Sequence, residues 1–254
     1  MKQKICFLAI DTEEDFINSQ TVNSFEGVKN LKLISPILKE FKLRPTFFCT
    51  GKVLENFASL FKQYQNFGCE IALHGFYDHL NMKEQNQKER EEKLSKHYNL
   101  YQNIFKEAPV GFRAVQNTID EAGLKLLENK FKYDSSIISF YPHFKKYIGY
   151  TGKTASKLYR PDNLNILEIP LNPLFAGVQL QGKWLRELGV VFYKFWLKIK
   201  QPELISLSFH SWDLNPEQKN GGEIFVGYLR KIILLLKEQG YEFKNGQEIY
   251  GEYK

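Results

Sequence analysis

Apolar residues recur along this chain in two alternating rhythms. The first run, Ile5-Cys6-Phe7-Leu8-Ala9-Ile10, predicts an interior strand. It stops at Asp11-Thr12-Glu13-Glu14-Asp15, where four residues in five are acidic. Leu31, Ile34, Ile37, Leu38 and Phe41 follow at helical spacing and predict a helix over 28–41. The alternation then repeats. Strands are predicted at 45–49, 70–73, 109–113, 131–134, 166–169, 204–209 and 241–243, and helices at 52–64, 83–105, 119–129, 185–200 and 223–239. Repeated strand–helix units predict an α/β chain with a mainly parallel sheet. Seven or eight such units suit a (β/α) barrel, irregular or open. The rhythm breaks at about 140–201, which is rich in Tyr, Lys, Gly and Pro.

Composition changes this picture little. The 254 residues suffice for a sizeable core, and no linker or solenoid repeat divides them. The net charge of +6 comes from basic residues spread along the chain, which reads as a solvated surface; no nucleic-acid partner is expected. Cys6, Cys49 and Cys69 lie in apolar segments without metal-knuckle spacing and are expected to be buried free thiols. No signal-peptide pattern and no membrane-length apolar run is present, so a soluble, cytoplasmic protein is expected. Arg186 to Lys200 mixes aromatics with a basic end. It reads first as a barrel-packing helix, with peripheral contact to an anionic membrane surface as the alternative.

Asp11, Glu13, Asp15, His74, His79, Arg113, Asp134 and His210 share one placement: each ends, or lies just past, a predicted strand. In a barrel those ends meet on one face. His74 and His79 are five apart, so neither a helix nor a strand aligns them, but the glycine-containing loop between them can turn both onto one ion. Two imidazoles and a carboxylate form the ligand set of catalytic zinc and of facial-triad metals. The corresponding chemistry is metal-assisted hydrolysis. A free carboxylate takes the proton of the attacking water, His210 protonates the leaving nitrogen, and Arg113 pairs with the base. Arg113 with Asp134 reads equally well as a structural ion pair.

In this order the motifs resemble the polysaccharide deacetylase family, the NodB-homology group also called carbohydrate esterase family 4. They are Ala9-Ile10-Asp11-Thr12-Glu13-Glu14-Asp15, Arg44 to Gly51, Glu70-Ile71-Ala72-Leu73-His74-Gly75, Gly111-Phe112-Arg113-Ala114, Tyr133-Asp134-Ser135-Ser136 and Ser208-Phe209-His210-Ser211-Trp212. The resemblance implies a distorted (β/α) barrel of seven or eight mainly parallel strands. Residues 1–254 would form one catalytic domain, with a divergent specificity segment at about 140–201. It implies Asp11 as base, Arg113 orienting it, His210 as acid and Asp134 supporting the charged pair. His74 and His79 would hold one divalent metal, zinc before nickel, cobalt or manganese, with Glu13 or Asp15. Tyr133 and Trp212 would bind substrate.

Three positions depart from the family pattern. Thr12 stands where a second Asp is usual, the His pair is five apart where four is usual, and Val115 replaces a proline. Asp78, at the usual second position, is itself a candidate oxygen ligand. Within the divergent segment Tyr141, Tyr147, Tyr150, Tyr159 and Trp184 offer rings for sugar stacking; Lys145, Lys146, Lys153, Lys157 and Arg160 offer charge for phosphate. The expected substrate is an N-acetylated or N-formylated amino sugar, nucleotide- or lipid-linked, from lipopolysaccharide or another surface glycan. An amidohydrolase of small non-sugar amides and an inactive carbohydrate-binding relative are the alternatives. Oligomeric state is not legible.

Overall fold

A computed structural model describes residues 3–17, 20–78, 85–140, 149–162 and 164–253. All eight predicted strands form, and they join one sheet. They are β1 (Lys4–Thr12), β2 (Thr46–Cys49), β3 (Glu70–His74), β4 (Gly111–Arg113), β5 (Tyr133–Asp134), β6 (Leu167–Glu168), β7 (Leu204–His210) and β8 (Tyr241–Lys244). The order is β7-β1-β2-β3-β4-β5-β6, and every pairing is parallel. One edge of β1 is covered by β7. The other is shared: β8 pairs Lys4–Phe7 and β2 pairs Ala9–Thr12. The sheet curls but does not close by a ladder. Between β6 and β7, Asn172 Nδ2 donates to Leu204 O at 3.2 Å and Gln181 bridges Ser208. This is the distorted, open (β/α) barrel that the strand rhythm and the motifs imply.

The two-residue period of each strand sorts its side chains into two cores. Cys6, Leu8 and Ile10 of β1 face outward and pack with helix residues such as Val53, Phe61 and Leu229. Phe7 and Ala9 face inward and meet Phe48, Ala72, Tyr133 and Leu167 inside the barrel. Asp11 continues the inward series. The three cysteines are buried and free, as expected.

The helices around the sheet are α1 (Ser35–Glu40), α2 (Gly51–Asn66), α3 (Gln87–Phe105), α4 (Glu121–Glu128), α5 (Gly182–Lys200), α6 (Glu223–Glu238) and α7 (Gly246–Tyr253). Three differ from expectation. The single helix foreseen over 28–41 is a turn at Glu26–Lys29, a 3-10 turn at Asn30–Leu33, then α1. Pro36 has no N–H to continue the earlier ladder, so the helix restarts with proline in its first turn. α5 begins three residues early and breaks at Gly189, whose φ is +71°. α7 was not foreseen. It closes the amino end of the barrel with Ile249 inside the inner core. Its start is marked by a reciprocal cap, in which Glu248 N donates to Asn245 Oδ1 and Asn245 N donates to Glu248 Oε2.

Candidate active site

The inward series at the carboxyl ends of the strands delivers Asp11 from β1, His74 from β3, Arg113 from β4 and His210 from β7 to one place. Arg113 is fully buried. Its Nη1 donates to Asp11 Oδ1 at 2.8 Å, Nε to Ser135 O at 2.9 Å and Nη2 to Ser135 Oγ at 2.9 Å. The guanidinium lies 4.3 Å from the centre of the Phe48 ring, an additional cation–π contact. Asp11 therefore has one oxygen fixed by a charge-assisted bond. Its other oxygen faces His210 Nε2 at 3.8 Å.

Glu13 sits two residues beyond Asp11, and the strand period carries it to the same side. Glu13 Oε2 is 3.6 Å from His74 Nε2, and Oε1 is 3.8 Å from His210 Nε2. His74 Nδ1 lies 3.0 Å from Arg113 O and donates to it, which turns Nε2 toward Glu13 as the atom whose lone pair a cation would take. Burial opposes the charged form of His74, but the Glu13 and Asp11 carboxylates outweigh it and lift its pKa above the ordinary value. Two buried carboxylates against one guanidinium leave a negative surplus. A carboxylate beside an Nε2 lone pair is a donor set that suits a divalent cation. Among the described residues no third His, Cys, Asp or Glu completes a cluster. His79 lies outside the described residues.

Several expected residues take other places. Asp15 accepts from Glu26 N at 2.7 Å and Gly27 N at 3.0 Å, so both its oxygens hold the start of a helical turn. The ion-pair distances bring Glu13, not Asp15, to His74. Glu14 is buried and accepts from Lys52 Nζ at 2.9 Å. Thr12 turns its hydroxyl to Phe48 O, and Asp78 accepts from Lys93 Nζ.

Asp134 does not pair with Arg113. Tyr133 and Ser135 point inward, so Asp134, between them, takes the outer face of the sheet. There it accepts from Ser136 Oγ at 2.7 Å and lies beside Glu168 of β6 in strand register. Burial raises both carboxyl groups, Asp134 to about 6. The support expected of Asp134 comes instead from Ser135, one residue on.

Tyr133 is fully buried in the inner core and offers no ring to a substrate. Trp212 is nearly buried and stacks on the His210 imidazole at 4.0 Å and 8°. Tyr150 is buried, and Tyr159 and Trp184 are half-buried, so none is a bare stacking platform. Tyr141, Tyr147, Lys145 and Lys146 lie outside the described residues, whereas Lys153, Lys157 and Arg160 are exposed.

Two positions escaped the sequence reading. Asp213 Oδ2 accepts from His210 N at 2.9 Å and lies 3.9 Å from His210 Nδ1. Arg186 Nε donates to Asp213 Oδ1 at 2.6 Å. The divergent segment thus braces the acid behind His210. The His210-Ser211-Trp212-Asp213 spacing could have flagged Asp213; nothing local flags Arg186.

These features define an open parallel barrel with an acid–arginine–imidazole centre at its strand ends. The chain is similar to the polysaccharide deacetylase family: a family model of that description matches residues 18–130, spanning His74 and Arg113. Members of this family are generally metal-dependent. Among curated proteins, a peptidoglycan deacetylase-like protein of Gibberella zeae is 32% identical over 139 residues, covering 50% of this chain and 41% of that protein. A peptidoglycan deacetylase of Helicobacter pylori is 28% identical over 159 residues, covering 61% of this chain and 51% of that protein. The chain thus spans about half the length of these relatives. The fold matches a solved putative polysaccharide deacetylase of Mycobacterium smegmatis with TM-score 0.71 and 17% identity, over 98% of this chain and 90% of that one. A CE4 family pseudoenzyme of Bacillus anthracis matches with TM-score 0.61 and 16% identity, over 98% and 66%.

Proposed function

We propose that this protein is a metal-dependent hydrolase that removes an N-acetyl or N-formyl group from an amino sugar. The observation that carries the reading is the Arg113–Asp11 pair facing His210 and Glu13 at the strand ends. Glu13 and His74 would hold the cation, zinc by preference, with His79 supplied by the sequence as a further ligand. A cation held there would polarise the amide carbonyl and acidify a bound water. Arg113 fixes Asp11 Oδ1 through its guanidinium. Oδ2 is then the atom that accepts the proton of the attacking water. His210 donates a proton to the sugar nitrogen as the C–N bond breaks; the acyl carbon leaves as a carboxylate and the sugar as an amine. Asp213 behind Nδ1 and Trp212 against the ring keep His210 oriented for that transfer.

The substrate is read as a nucleotide- or lipid-linked amino sugar of surface-glycan assembly, with residues 140–201 as the specificity segment of one 1–254 catalytic domain. The exposed Lys153, Lys157 and Arg160 support a phosphorylated substrate. The test is metal analysis of the purified protein together with acetate or formate release from acylated hexosamines, free and nucleotide-linked. Metal with acyl release supports the reading. Turnover of small ureides in place of sugars would move it to a small-amide amidohydrolase. Sugar binding with neither metal nor release would make it an inactive binding relative.

A further inference from the structure

Helix α5 is apolar on two sides. Its inner side buries Leu185, Tyr193 and Leu197 against the barrel. Its outer side carries Val191, Phe195 and Ile199, four residues apart and hence in one line, at 82%, 57% and 58% exposure. The hairpin Pro173–Phe175/Val178–Gln179 widens this face, because Phe175, also exposed, stacks on Trp196 at 3.9 Å and 17°. Packing on the barrel requires only one apolar stripe. α3 shows the ordinary arrangement, with Lys88, Glu91 and Glu92 exposed and Leu94, His97 and Tyr101 buried. Single exposed apolar residues are common, but a continuous line of them signals a docking surface.

Charge identifies the occupant. Lys194 and Lys198 flank the line and Lys200 ends it; all three are exposed and make no ion pair among the described residues. The helix has one acid, Glu187, which is engaged by Lys219 at 3.1 Å. A second copy of the chain would set one basic face against another with no acid to answer it. An apolar line bordered by unpaired lysines matches an interface of anionic headgroups over acyl chains. We propose that the outer face of α5, with Phe175, docks the protein on the surface of an anionic phospholipid bilayer. No helix among the described residues is long and apolar enough to cross a membrane, so the contact is peripheral. The proposal does not rest on the deacetylase reading, and its test needs no turnover.

The experiment is co-sedimentation of the full chain with vesicles of phosphatidylcholine alone and of equimolar phosphatidylcholine and phosphatidylglycerol, at low and high salt. The protein should sediment with the mixed vesicles and be released by salt. Paired substitution Lys194→Glu and Lys198→Glu should weaken binding about fivefold per residue or more. The pair Phe195→Ser and Ile199→Ser should weaken it about tenfold. All four side chains are exposed, so circular dichroism should match the wild type for both variants. Three results would overturn the proposal: no sedimentation with mixed vesicles, sedimentation that ignores both pairs, or a dimer in light scattering that Phe195→Ser dissolves while vesicles have no effect.

Discussion

Two carboxyl groups inside the same barrel have opposite fates. Asp11, at the carboxyl end, meets a guanidinium through a 2.8 Å bond and keeps one oxygen toward His210. Glu70, at the amino end, meets no cation among the described residues. Its Oε2 accepts from Thr46 Oγ1 at 2.7 Å and Gln247 N at 2.9 Å, and α7 covers it. Burial pushes its pKa up to about 7 against the pull of those hydrogen bonds. The sheet therefore answers the same problem twice. Where a charge is to act, it is compensated by Arg113 and left open on one side. Where no chemistry is arranged, the group is sealed in and its proton is held to higher pH. This matches the division of labour in parallel barrels, with function at the carboxyl face and stability at the amino face.

The largest expected effect breaks the functional half of that contrast. Asp11→Asn keeps the hydrogen bond to Arg113 but removes the base, so acyl release should fall about 10²–10⁴-fold while metal content and far-UV dichroism stay unchanged. Arg113→Met comes next. It leaves Asp11 buried beside Glu13 without its cation and should destabilise the fold by about 3–5 kcal/mol in urea titrations. The double variant Asp11→Asn/Arg113→Met should recover part of that loss, because the two residues share one interaction. Simple additivity would mean that Arg113 acts through the Phe48 and Ser135 contacts alone.

How legible each half was differs for physical reasons. The strand ends were readable because buried parallel strands are near-continuous apolar runs, and a polar residue that ends such a run stands out. Asp11, His74, Arg113 and His210 were found that way. What a strand end does not reveal is the face. Asp134 and Ser135 are adjacent in sequence and on opposite sides of the sheet, so placement by strand end found the Arg113–Asp11 pair but could not separate it from an Arg113–Asp134 pair. Glu13 and Asp15 are both two-residue steps from Asp11 in parity, and only the chain's departure from β1 separates the residue beside His74 from the helix cap. Arg186 was illegible because its partner Asp213 is 27 positions away, in a segment without rhythm. The amino-end plug was missed although its signal was local: Asn245-Gly246-Gln247-Glu248 has the spacing of a capping box.

The amino-end half predicts smaller effects without loss of activity. Glu70 has its folded pKa raised from 4.5 to about 7, so between those values the folded chain binds more protons than the unfolded one. Its contribution is neutral below pH 4.5, and stability falls as pH rises toward 7, by on the order of 3 kcal/mol for a rise of this size. Glu70→Gln should remove that slope. The urea midpoint of the wild type should drop between pH 5 and pH 8 by more than that of the variant, and equal drops would place the proton elsewhere.

Asn245→Ala is the smallest and the sharpest test. Its side chain caps α7 at Glu248 N, at 2.9 Å, and touches neither the strand-end site nor the α5 face. Loss of such a cap is worth about 1 kcal/mol. α7 carries Ile249 into the inner core and supplies Gln247 N to Glu70, so fraying its first turn loosens the seal over that carboxyl. The variant should therefore lose about 1 kcal/mol at pH 5, where Glu70 is protonated in the folded state. At pH 8 a loosened seal admits water to the ionised carboxylate, which offsets part of the lost cap, so the loss should shrink. An equal loss at both pH values would show that the helix and the carboxyl stabilise the barrel independently. A loss of acyl release would show that the two ends of the barrel are coupled.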